Sequence, residues 1–268
     1  MARIISILSG KGGVGKTVVA INLATALHKW FDKKVLLVDC NLTTAHIGMY
    51  LGMYSTPATL NHVLSDMIPV DNAIYSHESG LDILPASLPL KDLKNIRPKK
   101  LRTKLKKVFK QYDFIILDSA PGFGREGLMA LEASDETLFV TTPIAHSAAD
   151  LIKCRELAEK LGIEVLGIIM NMVKRRNYEL SESQMSYLTD LEIIGSVPYN
   201  ERITESVVSK NPAVLSNNIF NYSLNKSFKS LAKKLVREEA NQSFSNKFLS
   251  FFENLLITPK DVRELTKK

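Results

Sequence analysis

The chain is poor in cysteine and has no long apolar run. Only two of its 268 residues are cysteine, Cys40 and Cys154, and no C-x-x-C pair occurs. This content excludes a disulfide-stapled domain and gives no basis for a zinc or iron–sulfur site. No stretch is apolar enough to span a bilayer, and residues 1–3 lead directly into the first predicted strand. We therefore expect a soluble protein without a signal peptide, working in a reducing cytoplasm.

Acidic residues are absent from one segment, and this absence explains the net charge. Residues 97–110 contain eight basic residues and no acid, whereas the whole chain has a formal charge of +7, so the remainder carries −1. The basic character is thus local and does not by itself indicate a nucleic-acid-binding protein.

The basic segment also has an apolar period. Leu101, Leu105, Val108 and Phe109 recur at i, i+4, i+7 and i+8, which predicts an amphipathic helix over Arg97 to Lys110 with one face on the core. Three interpretations of the basic face stay open: a solvated crossover helix, docking on anionic lipid, or binding of DNA phosphates.

Apolar runs rich in β-branched residues alternate with helical patterns along the chain. This alternation predicts an α/β fold of three layers, a mostly parallel sheet with helices on both faces, and ligands at the carboxyl ends of its strands. We assign residues 1–240 to this domain and residues 241–268 to a helical tail. The predicted strands are Ile4–Leu8, Val35–Val38, Leu81–Leu84, Phe114–Leu117, Thr137–Val140, Val165–Met170 and Ile193–Val197.

A glycine-rich loop joins the first strand to a helical pattern. Its sequence fits G-x-x-x-x-G-K-[ST], in which glycines let backbone N–H groups turn towards phosphates, the lysine reaches the β and γ oxygens, and the hydroxyl binds Mg²⁺. The helix that follows adds the positive end of its dipole. The predicted nucleotide-binding residues are Gly10, Lys11, Gly12, Gly13, Val14, Gly15, Lys16 and Thr17.

Carboxylates end two further strands. Asp39 follows the second predicted strand and Asp118 follows the fourth, so both would lie beside the phosphates. We predict that they form the magnesium site with Thr17, and that the backbone N–H of Gly122 contacts the γ-phosphate. For Asp39 alone, an ordinary turn with an aspartate cap is the alternative.

Three motifs resemble the deviant phosphate-loop ATPases of the MinD/ParA family. They are Lys-Gly-Gly-Val-Gly-Lys-Thr at residues 11–17, Asp39-x-Asn41, and Asp-Ser-Ala-Pro-Gly at residues 118–122. Residues 83–87 and 127–131 are most similar to the MinD type. The resemblance spans roughly residues 2–239 and implies an ATP-driven switch with Mg²⁺ that forms a nucleotide-sandwich homodimer. It also implies a role in positioning cell division or other structures at the membrane, with an unknown partner protein.

The resemblance assigns roles to four residues. Lys11 matches the lysine that reaches the phosphates of the partner subunit, and Asp150 matches an acid that holds this lysine in the monomer. Asn171 and Pro198 match residues that hold adenine. Lys174 replaces the aspartate of the guanine-reading Asn-Lys-x-Asp signature, which favours ATP over GTP. Two alternatives stay open: Asp150 as a helix-end residue and Asn171 as a turn residue.

Asn41 departs from the family pattern. The family usually has aspartate there to orient the attacking water, whereas an amide can position water but cannot accept a proton. We therefore expect slow hydrolysis with stable ATP dimers. The predicted catalytic residues are Lys11, Lys16, Asp39 and Asn41.

The tail carries a second amphipathic pattern. Five apolar residues of segment 244–257 fall on one helix face: Phe248, Phe251, Phe252, Leu255 and Leu256. The resemblance implies a terminal membrane helix in this place, hence reversible peripheral membrane association. Docking on the body or on a partner stays open, because the polar face has one lysine. Two other functions also stay open: a ParA-like partition ATPase that binds DNA through residues 97–110, and an ATP-binding regulator with little hydrolysis.

Deletion of residues 243–268 should abolish ATP-dependent binding to anionic vesicles and spare nucleotide binding. Each buried Phe or Leu contributes about 1.5–3 kcal/mol before ordering costs, so one tail binds weakly. Two tails on one dimer bind strongly, because the second binds at high effective concentration. Co-sedimentation with ATP and with ADP measures the effect. Unchanged vesicle binding would refute the anchor, and a loss of stability would indicate a docked helix.

Overall fold

A computed structural model describes residues 2–122, 124–216 and 222–237. One eight-stranded sheet forms its centre, with the strand order β3-β4-β2-β5-β1-β6-β7-β8. Neighbouring strands are parallel except for β3 and β4, which form an antiparallel pair at one edge. The strands are β1 (Arg3–Leu8), β2 (Val35–Asp39), β3 (Tyr75–Ser76), β4 (Asp82–Leu84), β5 (Phe114–Asp118), β6 (Glu136–Thr141), β7 (Glu164–Val173) and β8 (Ile193–Pro198).

Helices connect the parallel strands. Within the described ranges the longest are α1, α6 and α9, which have 16 residues each. The helices are α1 (Lys16–Phe31), α2 (Ile47–Tyr50), α3 (Leu60–Leu64), α4 (Leu101–Leu105), α5 (Arg125–Ala133), α6 (Ala145–Lys160), α7 (Glu182–Thr189), α8 (Arg202–Val208) and α9 (222–237). Short 3₁₀ turns lie at Val70–Ala73, Leu90–Leu93, Pro98–Lys100, Phe109–Gln111 and Ala213–Leu215.

The central strands are apolar on both faces because helices cover both. β1, β2 and β5 are buried along their whole length. Alternate residues such as Ile4, Leu36 and Leu117 belong to one cluster with α3, α4 and α5, while α1 packs against the same three strands. Leu8, Phe139 and further residues form a second cluster with α6 and α7. The predicted three-layer, mostly parallel fold is confirmed.

A buried ion pair joins the starts of β1 and β6. Nε and Nη2 of Arg3 each donate to a carboxylate oxygen of Glu136 at 2.8 Å, and both residues are buried. The guanidinium also lies 5.6 Å from the centre of the Phe114 ring. Since two parallel N–H donors match one carboxylate, this pair fixes how the two strands are aligned.

Two expectations about strands need correction. Strand β3 was not predicted, because two residues at a sheet edge give too short a pattern. β7 was predicted to end at Met170 but continues to Val173, where it pairs with Pro198 of β8.

The predicted helix over Arg97 to Lys110 is wrong. The segment divides into a 3₁₀ turn, the five-residue helix α4 and a second 3₁₀ turn. Its apolar side chains are nevertheless placed as expected, since Leu101, Leu105 and Val108 are fully buried. Lysines repeat at i, i+3 and i+4 through this segment, and like charges at these spacings disfavour a long helix.

Half of the basic side chains in this segment are bound to carboxylates. Arg97, Lys100 and Lys104 all pair with Asp66, at 2.6 to 3.1 Å. Hydrogen bonds from the lysines hold the pKa of Asp66 well below its ordinary value. Arg102 pairs with Asp135. Fewer cations of this segment are therefore available to an anionic ligand than the sequence indicated.

The chain divides into two compact units, residues 1–232 and 233–268. Among the described residues, no helix is long and apolar enough to cross a membrane. The amphipathic pattern of segment 244–257 lies outside the described residues, so the tail and the boundary at residue 240 stay predictions.

Replacing Glu136 with alanine should destabilise the fold by about 3–5 kcal/mol, because it removes the carboxylate from a buried guanidinium. Urea unfolding measures the loss. The control is Glu205→Ala, which breaks an exposed pair with Arg202 and should cost less than about 1 kcal/mol. If both variants lost the same free energy of unfolding, burial would not determine how strongly the Arg3–Glu136 pair stabilises the fold.

Candidate nucleotide-binding site

The carboxyl ends of four strands bring the predicted residues to one edge of the sheet. β1 leads into the glycine-rich loop, and β5, its neighbour, ends at Asp118. β2 lies on the other side of β5 and ends at Asp39, directly opposite Asp118 in the strand register. Asn171 lies near the end of β7. Residues distant in sequence thus meet around one loop.

Two glycines of the loop are required by close packing. Gly15 adopts a φ of 87° at the amino end of α1, where no side chain caps the helix. A Cβ at Gly15 would lie 2.3 Å from Nδ2 of Asn171, and a Cβ at Gly10 would lie 2.2 Å from Cβ of Asp150. Because no side chain caps α1, the N–H groups of its first turn are available to donate to phosphate oxygens.

Lys16 is the buried cation of the site. Its Nζ donates to Oγ of Ser9 at 2.7 Å, and 7 % of the residue is exposed. Burial lowers the pKa of this ammonium, while the Asp118 carboxylate acts in the opposite direction. A phosphate group in the loop would favour the charged form further.

Asp118 is a fully buried carboxylate whose oxygens have no hydrogen-bond donor of ordinary geometry. Burial raises its pKa to about 6, although the nearby Thr17 hydroxyl and Lys16 lower it. A buried carboxylate with free lone pairs beside a threonine hydroxyl is what a hard divalent cation requires. The residues present therefore fit Mg²⁺.

Asp39 is less available than Asp118. Its Oδ1 accepts the N–H of Asn41 at 3.1 Å, and its Oδ2 accepts the N–H groups of His46 and Ile47 at 3.0 Å each. Burial and the neighbouring Asp118 raise its pKa to about 8, against the effect of these donors. The carboxylate thus binds the backbone before and at the start of α2, whose N-cap residue is His46. Asp118 is thus the better candidate for direct metal contact.

Asn41 lies in a hydrogen-bonded loop. Its Oδ1 accepts the hydroxyl of Thr44 at 2.8 Å, and its Nδ2 lies 3.4 Å from Nδ1 of His46. Burial lowers the pKa of His46, and the charge of Lys16 lowers it further. The sequence did not identify Thr44 and His46 as partners of Asn41, because their spacing of three and five residues in a loop has no fixed geometry.

The loop after β5 differs in one detail from the prediction. Gly122 has a φ of 73°, and its N–H donates to the carbonyl of Ser9 at 3.0 Å. The group predicted to face a γ-phosphate is therefore bound to the glycine-rich loop itself. The two loops are joined by this bond, which must open before the N–H can contact a ligand.

Asn171 has one free polar atom. Its Nδ2 donates to the carbonyl of Val14 at 2.8 Å, whereas Oδ1 is buried without a donor. That oxygen can accept from an amino group on a purine edge, such as the 6-amino group of adenine. Pro198 lies at the end of the adjacent strand, where it lines a groove of about 950 Å³.

The Lys11 side chain lies against a histidine and not against Asp150. Its Nζ is 2.5 Å from Nε2 of His146, on the first turn of α6. The expectation that Asp150 would hold Lys11 is not met, because Asp150 lies a turn further along α6 beside the backbone of Gly10. No local pattern could pair His146 with Lys11, because 135 residues separate them in sequence.

Comparison with known proteins places the chain among P-loop ATPases. The ParA family model described as "NUBPL iron-transfer P-loop NTPase" matches residues 1–236. The chain belongs to the MinD/ParA family. An uncharacterised ATP-binding protein of Methanocaldococcus jannaschii is 33% identical over 215 residues, which cover 80% of this chain and 81% of that protein.

Two further relatives carry the MinD name. The septum site-determining protein MinD of Thermotoga maritima is 29% identical over 97% of both chains. The structure of MinD from Pyrococcus horikoshii, complexed with Mg-ADP, superposes with a TM-score of 0.82 at 31% identity. The superposed part covers 88% of this chain and 96% of the Pyrococcus chain.

The iron-transfer description of the family model finds no support in this chain. Cys40 and Cys154 are both buried, and no three ligating side chains cluster within the described ranges. Burial raises the pKa of the Cys154 thiol to about 12, so a thiolate is disfavoured there.

Replacing Asp118 with asparagine should stabilise the ligand-free protein at pH 8 by about 1–3 kcal/mol and remove its stabilisation by Mg²⁺ and ATP. The folded pKa is raised, so the carboxyl contributes its stability at low pH and loses it as the pH rises from about 4 through about 6. At pH 4 the variant should match the parent more closely.

Thermal unfolding at both pH values, with and without Mg-ATP, measures this. The control Asp190→Asn makes the same change at an exposed site. It should neither stabilise the ligand-free protein at pH 8 nor remove the stabilisation by Mg-ATP. Retained Mg-ATP stabilisation in Asp118→Asn would contradict the metal assignment.

Proposed function

We propose that this protein is an ATP-binding switch ATPase of the MinD type that uses Mg²⁺. The observation that carries the proposal is the buried carboxylate of Asp118, which has no donor of ordinary geometry and lies next to Lys16 and Thr17. A triphosphate and its cation would satisfy all three groups at once. The Mg-ADP complex of the related Pyrococcus MinD supports this choice of ligand.

Adenine is the proposed base. The chain has Lys174 where guanine readers have aspartate, and the free Oδ1 of Asn171 can accept the 6-amino group of adenine. When bound, Mg²⁺ would supply charge stabilisation to the phosphates. The chain contributes the backbone N–H groups of its loop and the Lys16 ammonium.

The ATP-bound form is proposed to be a sandwich dimer in which Lys11 reaches the partner's nucleotide. We infer slow hydrolysis, because Asn41 cannot accept a proton and its oxygen already accepts the Thr44 hydroxyl. Assembly would pair two tails, so that residues 244–257 bind a membrane surface. There the dimer would act with a partner protein in positioning cell division or another structure.

The DNA-binding alternative has less support from the structure. It relies on residues 97–110, where four of the eight cations pair with Asp66 or Asp135. Cations already paired with carboxylates displace fewer counterions from a phosphate backbone and so bind it more weakly.

The dimer is tested with Lys11→Ala. This variant should bind ATP normally, because residues 12–17 are intact, but should remain monomeric with a non-hydrolysable ATP analogue. The matched variant Lys16→Ala should lose nucleotide binding itself. Light scattering reads the mass, and calorimetry reads the binding. ATP-dependent dimers of Lys11→Ala would contradict the sandwich model.

A further inference from the structure

The contact between Lys11 and His146 joins two elements that are 135 residues apart in sequence. Lys11 belongs to the glycine-rich loop, and His146 is the second residue of α6. The atoms are Nζ and Nε2, and the pair is solvent-exposed. The contact directs the lysine side chain towards α6 of its own subunit.

The chemistry of the pair determines which group donates. An ammonium has three N–H donors and no acceptor, so Nε2 of His146 must be the acceptor and the ring must be neutral, with its proton on Nδ1. Asp150, a full turn along α6, has the stronger acceptor but packs beside Gly10.

We propose that His146 is a positioning residue that holds Lys11 on its own subunit, so that assembly of the ATP dimer requires this contact to break. The inference rests on the proposed function, because it assumes that Lys11 bridges to the partner's nucleotide. A contact made only in the free subunit stabilises that state, and it opposes assembly by the same free energy.

The expected size of the effect follows from the exposure of the pair. Exposed polar contacts change an equilibrium by a factor of about 2 to 5 each. A symmetric dimer breaks two of them. His146→Ala should therefore lower the dimer dissociation constant by about 4- to 25-fold.

Sedimentation velocity of the full chain over a range of concentrations, with a non-hydrolysable ATP analogue, tests this. His146→Gln is the conservative variant, because its Oε1 can accept from Lys11, and it should resemble the parent. Lys153→Ala changes an exposed residue of the same helix and controls for effects on α6. In the free parent, ¹⁵N-histidine spectra should show an unprotonated Nε2 at His146 that shifts in Lys11→Ala.

Three results are informative. Tighter dimers for His146→Ala alone support the inference. If the parent dimerises, Lys11→Ala does not, and His146→Ala equals the parent, the inference is overturned while the proposed function stands. If the parent stays monomeric with the analogue, the proposed dimer fails and the inference with it, whatever the histidine spectra show of the contact.

Discussion

The buried carboxylate of Asp118 is the constraint on which the site depends. It stands at the end of the central strand β5, fully buried, with no donor of ordinary geometry, while the ammonium of Lys16 lies near it at reduced pKa. Such a pair is costly in a protein interior unless further charges complete it. A phosphate on the lysine side and a cation on the carboxylate side would do so. Ligand binding at this point would therefore stabilise the folded protein.

The other loops at the carboxyl edge of the sheet leave the space beside Asp118 open. Gly15 and Gly10 allow Asn171 and Asp150 to pack against the loop backbone without filling it. Asp39 holds the turn before α2 through three backbone N–H groups, and Gly122 ties the next turn to Ser9. Each of these contacts positions a loop, and each leaves the carboxylate of Asp118 free.

The sequence predicted the parts of this site that depend on local pattern. A glycine-rich loop after an apolar strand has one common geometry, so the nucleotide loop and the strand-end residue Asp118 could be located. Contacts between distant segments could not be located. Nothing in the sequence links Asp66 to Arg97, or His146 to Lys11, and apolar periodicity determined which side of residues 97–110 is buried but not whether it forms one helix.

The most direct test of this account is calorimetric titration of the full chain with Mg-ATP, Mg-GTP and metal-free ATP. The free oxygens of Asp118 and Asn171 predict that Mg-ATP binds best. Guanine has a keto oxygen in place of the 6-amino group that Asn171 is proposed to accept, and metal-free ATP leaves Asp118 without a cation. Each change should therefore weaken binding by about tenfold or more. Equal affinity for all three ligands would contradict the account.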